Sequence, residues 1–209
     1  EAVAKQCVPL SFSAQQQIIG QDAETTNVYF VLSGKVRVVN YSLSGREVSL
    51  EDVEAGGHFG ELAAIDGQPR SAAVMAVEDS LIVALPHRYF LDVMKKHPPV
   101  AEKVMGRLAR MVRASTERIM DLSTLAANNR VQAEILRQAR ETESADNTAV
   151  IKPIPVHSDI ASRVSTTRET VARVLSDLSK RNLLQRTKDA LVVTDVEKLE
   201  EMVDEVRGI

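Results

Sequence analysis

An α+β fold is predicted for this chain by three observations. Short apolar runs with a period near two fill the region from about Phe12 to Leu85, separated by Ser-Gly, Gly-Gly and Gly-Gln steps. A stretch after Pro99 then carries no glycine except Gly106 and no proline before Pro153, with apolar residues at helical spacing. The remaining part holds two short amphipathic segments divided by an interval suited only to a tight turn. The domain division predicted is 1–99, 100–127 and 128–209.

In chain order, the runs 28-VYFVL-32, 35-KVRVV-39, 47-EVSLEDV-53, 72-AAVMAV-77 and 80-SLIVAL-85 predict strands of an antiparallel sandwich or barrel. Val104, Leu108, Met111, Ser115, Ile119, Leu122 and Ala126 recur at steps of three and four, one side of a helix of roughly 25 residues. Two copies of such a helix could bury their stripes in a parallel homodimer, or one copy could lie on its own sandwich. Asn128 and Asn129 are predicted to interrupt it, because asparagine competes for backbone hydrogen bonds. A further helix is expected from about Arg130 to Arg140, then a polar loop over 141–149.

The segment 156-VHSDIASRVSTTRETVARVLSDLSKRNLL-184 predicts a helix-turn-helix, with Ser158 capping the first helix and Thr166 or Thr167 the second. Apolar ends around Lys188-Asp189 in 183-LLQRTKDALVVT-194 predict a hairpin or wing, and 196–208 a final helix.

Composition restricts function. The 209 residues are 44% apolar and 26% charged, values of a globular protein long enough to bury a core unaided. Aromatics at 3% argue against base stacking as the main route to nucleic acid. Cys7 is the sole cysteine, so an internal disulfide, an iron–sulfur cluster and the usual structural zinc are excluded. His58, His87 and His97 show no paired spacing that would hold heme or a metal. No apolar run approaches membrane-spanning length and no amino-terminal leader pattern is seen, so the expected location is cytoplasmic, with no membrane partner. The net charge of −3 hides an asymmetry: 152–188 carries eight basic and three acidic residues, a net of +5, whereas 189–209 carries two basic and seven acidic, a net of −5.

Two constellations carry chemistry. Within 58-HFGELAAIDGQPRSAAV-74, Arg70 can grip two phosphate oxygens and Glu61 can accept from a sugar hydroxyl, while Gly60 lets backbone approach closely and Ser71 can donate to the same anion. A cyclic phosphodiester with a ribose hydroxyl satisfies both charges. An internal Glu61–Arg70 ion pair is the competing reading. On the second short helix of the C-terminal part, Arg168, Glu169 and Arg173 can read base edges, since arginine donates to guanine and glutamate accepts from cytosine. A solvated face with Glu169 paired to Arg173 is the competing reading there.

The run 59-FGELAAIDGQPRSAAV-74 resembles the phosphate-binding cassette of the bacterial cAMP receptor and fumarate–nitrate regulator superfamily, most closely its cAMP receptor subgroup. The likeness extends to 29-YFVLSGKVRVV-39, the long helix and 167-TRETVARVL-175, hence to nearly the whole chain. It implies an amino-terminal β-roll that binds a cyclic nucleotide, a dimerisation helix and a winged helix-turn-helix. It assigns Glu61 to the ribose 2′-hydroxyl, Arg70 and Ser71 to the cyclic phosphate, Gly60 and Leu62 to the backbone framework, and Ser115 and Thr116 to adenine, one from each subunit. Arg168, Glu169 and Arg173 match base-reading residues. Arg163, Ser165, Thr166, Thr167, Lys180 and Lys188 are the expected phosphate contacts.

Met111 stands where the resembled receptor has a basic residue, and the hydroxyl identities at Ser115 and Thr116 are exchanged. The expected function is therefore a homodimeric, cAMP-responsive regulator that binds palindromic double-stranded DNA, with RNA polymerase as partner and cGMP as the close rival ligand. A ligand-independent regulator is a second rival, and an interaction subunit that does not bind DNA is a third. No hydrolytic constellation is present, so no enzymatic activity is expected.

Overall fold

The computed structural model describes residues 3–43, 45, 47–142 and 146–208. The chain forms two compact units, 1–111 and 112–209.

The first unit contains β1 (Val8–Phe12), β2 (Gln17–Ile19), β3 (Val28–Ser33), β4 (Lys35–Tyr41), β5 (Glu47–Glu54), β6 (His58–Phe59), α1 (Glu61–Asp66), β7 (Ala73–Ala76), β8 (Ser80–Leu85) and α2 (His87–Lys96). The strands form two four-stranded sheets, ordered β1-β8-β3-β6 and β2-β7-β4-β5, and their pairings are antiparallel. Alternation along β3 and β4 turns Val31 and Val36 inward, where they meet Ile19, Phe59, Val74 and Ile82 in one apolar core. The five predicted strands are present; β1, β2 and β6 are too short or too interrupted by polar residues to show a period. A second core of Val28, Ala64, Leu85, Phe90 and Val104 seats α1 and α2.

The helix α3 (Pro98–Thr124) begins in the first unit and ends in the second. Its apolar side chains differ in burial along its length. Val104 and Leu108 pack into the core of the first unit, whereas Met105, Val112, Ile119 and Leu122 stand exposed. Val104, Leu108, Ile119 and Leu122 share one side of the helix, as the predicted stripe has it, and the first two find a core within the first unit.

The second unit adds α4 (Ala127–Arg140), β9 (Ala149–Ile151), α5 (His157–Arg163), α6 (Arg168–Lys180), β10 (Leu184–Arg186), β11 (Leu191–Val193) and α7 (Val196–Arg207). The predicted wing is the antiparallel β10-β11 hairpin, extended by β9 into a three-stranded sheet. Val131, Ile135, Val171, Leu178, Val193 and Leu199 are among the side chains that close one core beneath it. The break after α3 falls at Leu125 and Ala126, not at the asparagines: Asn128 and Asn129 sit in the first turn of α4, where amides lack intrahelical acceptors. Of the polar loop expected over 141–149, residues 143–145 lie outside the described residues, and Ala149 already belongs to β9.

Polar packing in this unit was not foreseen. Asp121, at the end of α3, is buried and accepts from Arg137 Nη2 at 3.2 Å and Arg207 Nη2 at 2.7 Å. Glu134 is buried beside them, accepting from Arg137 Nη1 and from Gln138 Nε2 at 2.9 Å, with Arg163 Nη1 at 3.7 Å. Each buried carboxylate therefore has cationic partners, the condition under which burying charge is tolerable.

Candidate functional site

The cassette is built from the β6 end, α1 and the loop before β7. Gly60 adopts φ 82°, a left-handed backbone that lets β6 turn directly into α1. A Cβ there would lie 2.7 Å from Arg70 Nη1 and 3.0 Å from the Asn27 carbonyl oxygen, so glycine is required for space as well as conformation. The loop is tied back by Arg70 N–H to the Ala23 carbonyl and Asp22 N–H to the Arg70 carbonyl, both 2.9 Å.

Arg70 is enclosed, with 3% of its surface exposed. Its Nε donates to Thr25 Oγ1 at 3.0 Å, Nη1 to the Gly60 carbonyl at 2.8 Å and Nη2 to the Asn27 carbonyl at 2.7 Å. A guanidinium has five N–H groups. Three are thus engaged, leaving one on each terminal nitrogen for an oxyanion. The Tyr29 ring lies 5.8 Å from the guanidinium carbon. Burial draws the Arg70 pKa down, opposed by Tyr29 and Glu61, but arginine stays charged.

Glu61 is equally enclosed, also 3% exposed, and its Oε2 is buried without a hydrogen-bond partner. Burial pushes its pKa up; its own backbone amide and the Arg107 charge pull it back, and Glu51 adds to the rise. The internal Glu61–Arg70 ion pair does not form, since Arg70 points its bonded donors at Thr25 and two carbonyls. The nearest cation to the orphaned oxygen is Arg107 Nη1 at 3.7 Å. Sequence reading missed Arg107, Thr25 and Asn27, which no local pattern joins to the cassette.

Leu62 and Ser71 are exposed at the rim. Asp66, read from sequence as a solvated charge, is exposed and accepts from the Gln68 amide at 3.0 Å. In the second unit, Ser115 and Thr116 are exposed on α3, and the Thr116 hydroxyl donates to the Val112 carbonyl at 3.0 Å. Among the described residues no group of three or more His, Cys, Asp or Glu could hold a metal, and no helix is long and apolar enough to cross a membrane.

The second constellation sits on α6. Thr167 caps it, accepting from the Thr170 amide at 3.2 Å, as one of the two predicted caps. Ser158 does not cap α5: it lies inside the helix, and Val156 holds the cap position. The turn between the helices contains Ser165 at φ 52° and is gripped by Arg130, whose Nε donates to the Val164 carbonyl at 2.9 Å and Nη2 to the Ser165 carbonyl at 3.1 Å.

Arg168, Glu169 and Arg173 are all exposed on α6. No ion pair joins Glu169 to Arg173 among the described residues; Arg173 instead reaches Asn128 Oδ1 at 3.5 Å. Lys180, Lys188 and Thr167 are exposed, Ser165 and Thr166 half-buried, and Arg163 faces Glu134.

Residues 9–97 match the profile of the cyclic nucleotide-binding domain, and residues 129–202 that of the Crp-like helix-turn-helix domain. The chain is 33% identical over 177 residues to the cyclic AMP receptor protein of Thermus thermophilus, covering 84% of this chain and 78% of that one. It is 24% identical to the CRP-like cAMP-activated global transcriptional regulator of Mycobacterium tuberculosis, over 95% of this chain and 89% of that one. A CooA variant from Carboxydothermus hydrogenoformans has the same fold, with TM-score 0.86 at 23% identity, covering 97% of this chain and 90% of that one.

Proposed function

The chain belongs to the CRP/FNR superfamily of DNA-binding transcription regulators with a cyclic-nucleotide-binding domain, and we propose that it is a homodimeric regulator whose affinity for a palindromic DNA site is raised by cAMP. The observation that carries this reading is the pair of enclosed, opposite charges in the cassette: a guanidinium with two N–H groups left over and a carboxylate oxygen with no donor. A cyclic phosphate and a ribose 2′-hydroxyl complete both at once.

Arg70 and Ser71 hold the phosphate, Glu61 takes the hydroxyl, Gly60 and Leu62 frame them, and Ser115 and Thr116 meet the base. Because the Thr116 hydroxyl already donates to a carbonyl, it is left to accept, which suits the exocyclic amine of a purine base. The exposed Met105, Val112, Ile119 and Leu122 recur at the spacing of a coiled-coil seam, which favours a second copy as their cover. The division into 1–99, 100–127 and 128–209 follows the ligand, dimer and DNA roles.

On α6, Arg168, Glu169 and Arg173 read base edges in the major groove, with Arg163, Ser165, Thr166, Thr167, Lys180 and Lys188 on phosphates. Two such helices reach successive grooves when held about 34 Å apart. Ligand favours that spacing only through a higher affinity for the active arrangement. The protein works in the cytoplasm and hands its DNA-bound state to RNA polymerase.

Selection of DNA from a random pool with no ligand, cAMP or cGMP tests the reading. A palindromic site enriched only with cAMP is expected. Equal enrichment without nucleotide overturns the coupling, and enrichment with cGMP alone reassigns the base.

A further inference from the structure

Arg107 projects from α3 into the cassette and meets groups from β5, β6 and α1. Its Nη1 donates to the His58 carbonyl, its Nη2 donates to Glu51 Oε2 at 2.8 Å, and Nη1 lies 3.7 Å from Glu61 Oε2. The side chain is largely buried, so the arrangement is not a solvated contact. Neither the sequence reading nor the family profile assigns this residue a part.

Glu61 needs a partner of this kind. A carboxylate enclosed to this degree favours its neutral form, and a neutral carboxyl presents a donor where a sugar hydroxyl needs an acceptor. Arg70 cannot serve as that partner, since it is turned toward Thr25, Gly60 and Asn27. Arg107 is close enough to favour the charged form yet beyond hydrogen-bond length, which leaves Oε2 open to an incoming hydroxyl. Its bonds to Glu51 and the His58 carbonyl keep it there.

We infer that Arg107 is a positioning residue of the ligand site, holding Glu61 charged and open so that the protein selects a nucleotide bearing a free 2′-hydroxyl. This rests on the reading of the cassette as a cyclic-nucleotide site. Arg107 does not itself touch the ligand. It acts through Glu61, and the discrimination it governs is ribose against deoxyribose.

Calorimetry of the full chain with cAMP and with 2′-deoxy-cAMP tests this. The parent is expected to prefer cAMP by roughly ten- to a hundredfold, the range of a hydrogen bond to a buried charge. Arg107→Gln is expected to collapse that preference to a few-fold by weakening cAMP while leaving the deoxy analogue nearly unchanged, and Arg107→Lys to restore most of it. Glu61→Gln combined with Arg107→Gln should lose no more than Glu61→Gln alone, because both act on one interaction. A folded Arg107→Gln protein, checked by circular dichroism, that keeps the full preference overturns the inference and leaves the cassette reading intact. A parent that binds neither nucleotide overturns both.

Discussion

The cassette and α6 both present arginine, in opposite settings. Arg70 is sealed in the first unit with three protein acceptors around it, whereas Arg168 and Arg173 stand on an exposed face of α6. Enclosure raises the worth of each charge and lets one residue decide binding. Exposure screens each charge, so the DNA binding proposed for α6 would be spread over many contacts, with specificity in a few base edges. The two regions should therefore respond to substitution very differently.

The largest effect should come from Arg70→Ala, which leaves the bound phosphate without its cation and also strands the Asn27 and Gly60 carbonyls. We expect cAMP binding to weaken by about 3 kcal/mol or more in calorimetry, with DNA selection in the presence of cAMP lost in parallel. Retention of nucleotide affinity in that variant would show that enclosure does not serve binding.

Asp121→Ala sharpens the contrast inside the second unit, where charge is buried for folding and not for ligand. Removing it takes the carboxylate from Arg207 and leaves Arg137 with Glu134, and a loss of about 3 kcal/mol of stability is expected in urea unfolding followed by a probe in residues 112–209. An unchanged midpoint would count against that distinction.

Acid should separate the units as well. Burial, with the Arg107 charge added to it, holds the His58 pKa down at about 4, below its ordinary 6.5. An unfolded histidine then binds protons that the folded one does not, so the His58 contribution is fully present above pH 6.5 and is lost as pH falls toward about 4. Glu61, with its pKa raised, works in the opposite direction. Discounted for the screening of a partly exposed ring, the expected His58 contribution is on the order of 2 kcal/mol, visible as a pH slope of first-unit unfolding that His58→Gln flattens. A slope identical in the two proteins would remove His58 from this account.

The smallest effects are expected on α6. Arg168→Ala or Glu169→Ala should cost about 1 to 3 kcal/mol of discrimination at a single base pair in competition binding, with cAMP affinity unmoved. Loss of cAMP affinity in a folded variant of that helix would erase the division between the regions.

Much of this was legible in local order. A period near two gave away β3, β4, β5 and β8, because alternate side chains of a strand face opposite ways. Thr167 announced the start of α6 through an interaction spanning three residues, and Gly60 signalled a close approach of backbone, found at a turn with no room for a Cβ. Such signals act over a few residues, so the order of residues suffices to read them. They placed Arg70 and Glu61 in one short segment and Arg168, Glu169 and Arg173 on one helix.

Partnership of the charges was decided elsewhere. Glu61 and Arg70 lie nine residues apart and do not pair, while the cation nearest Glu61 comes from α3. Arg207 reaches Asp121 across 86 positions of sequence, and Arg130 grips the helix-turn-helix turn from another element. The stripe on α3 was likewise buried only where Val104 and Leu108 found a core to enter. Propensity and period are properties of neighbours along the chain, whereas the energy of a buried charge depends on which groups the packed fold brings within a few ångströms and on how much water it removes.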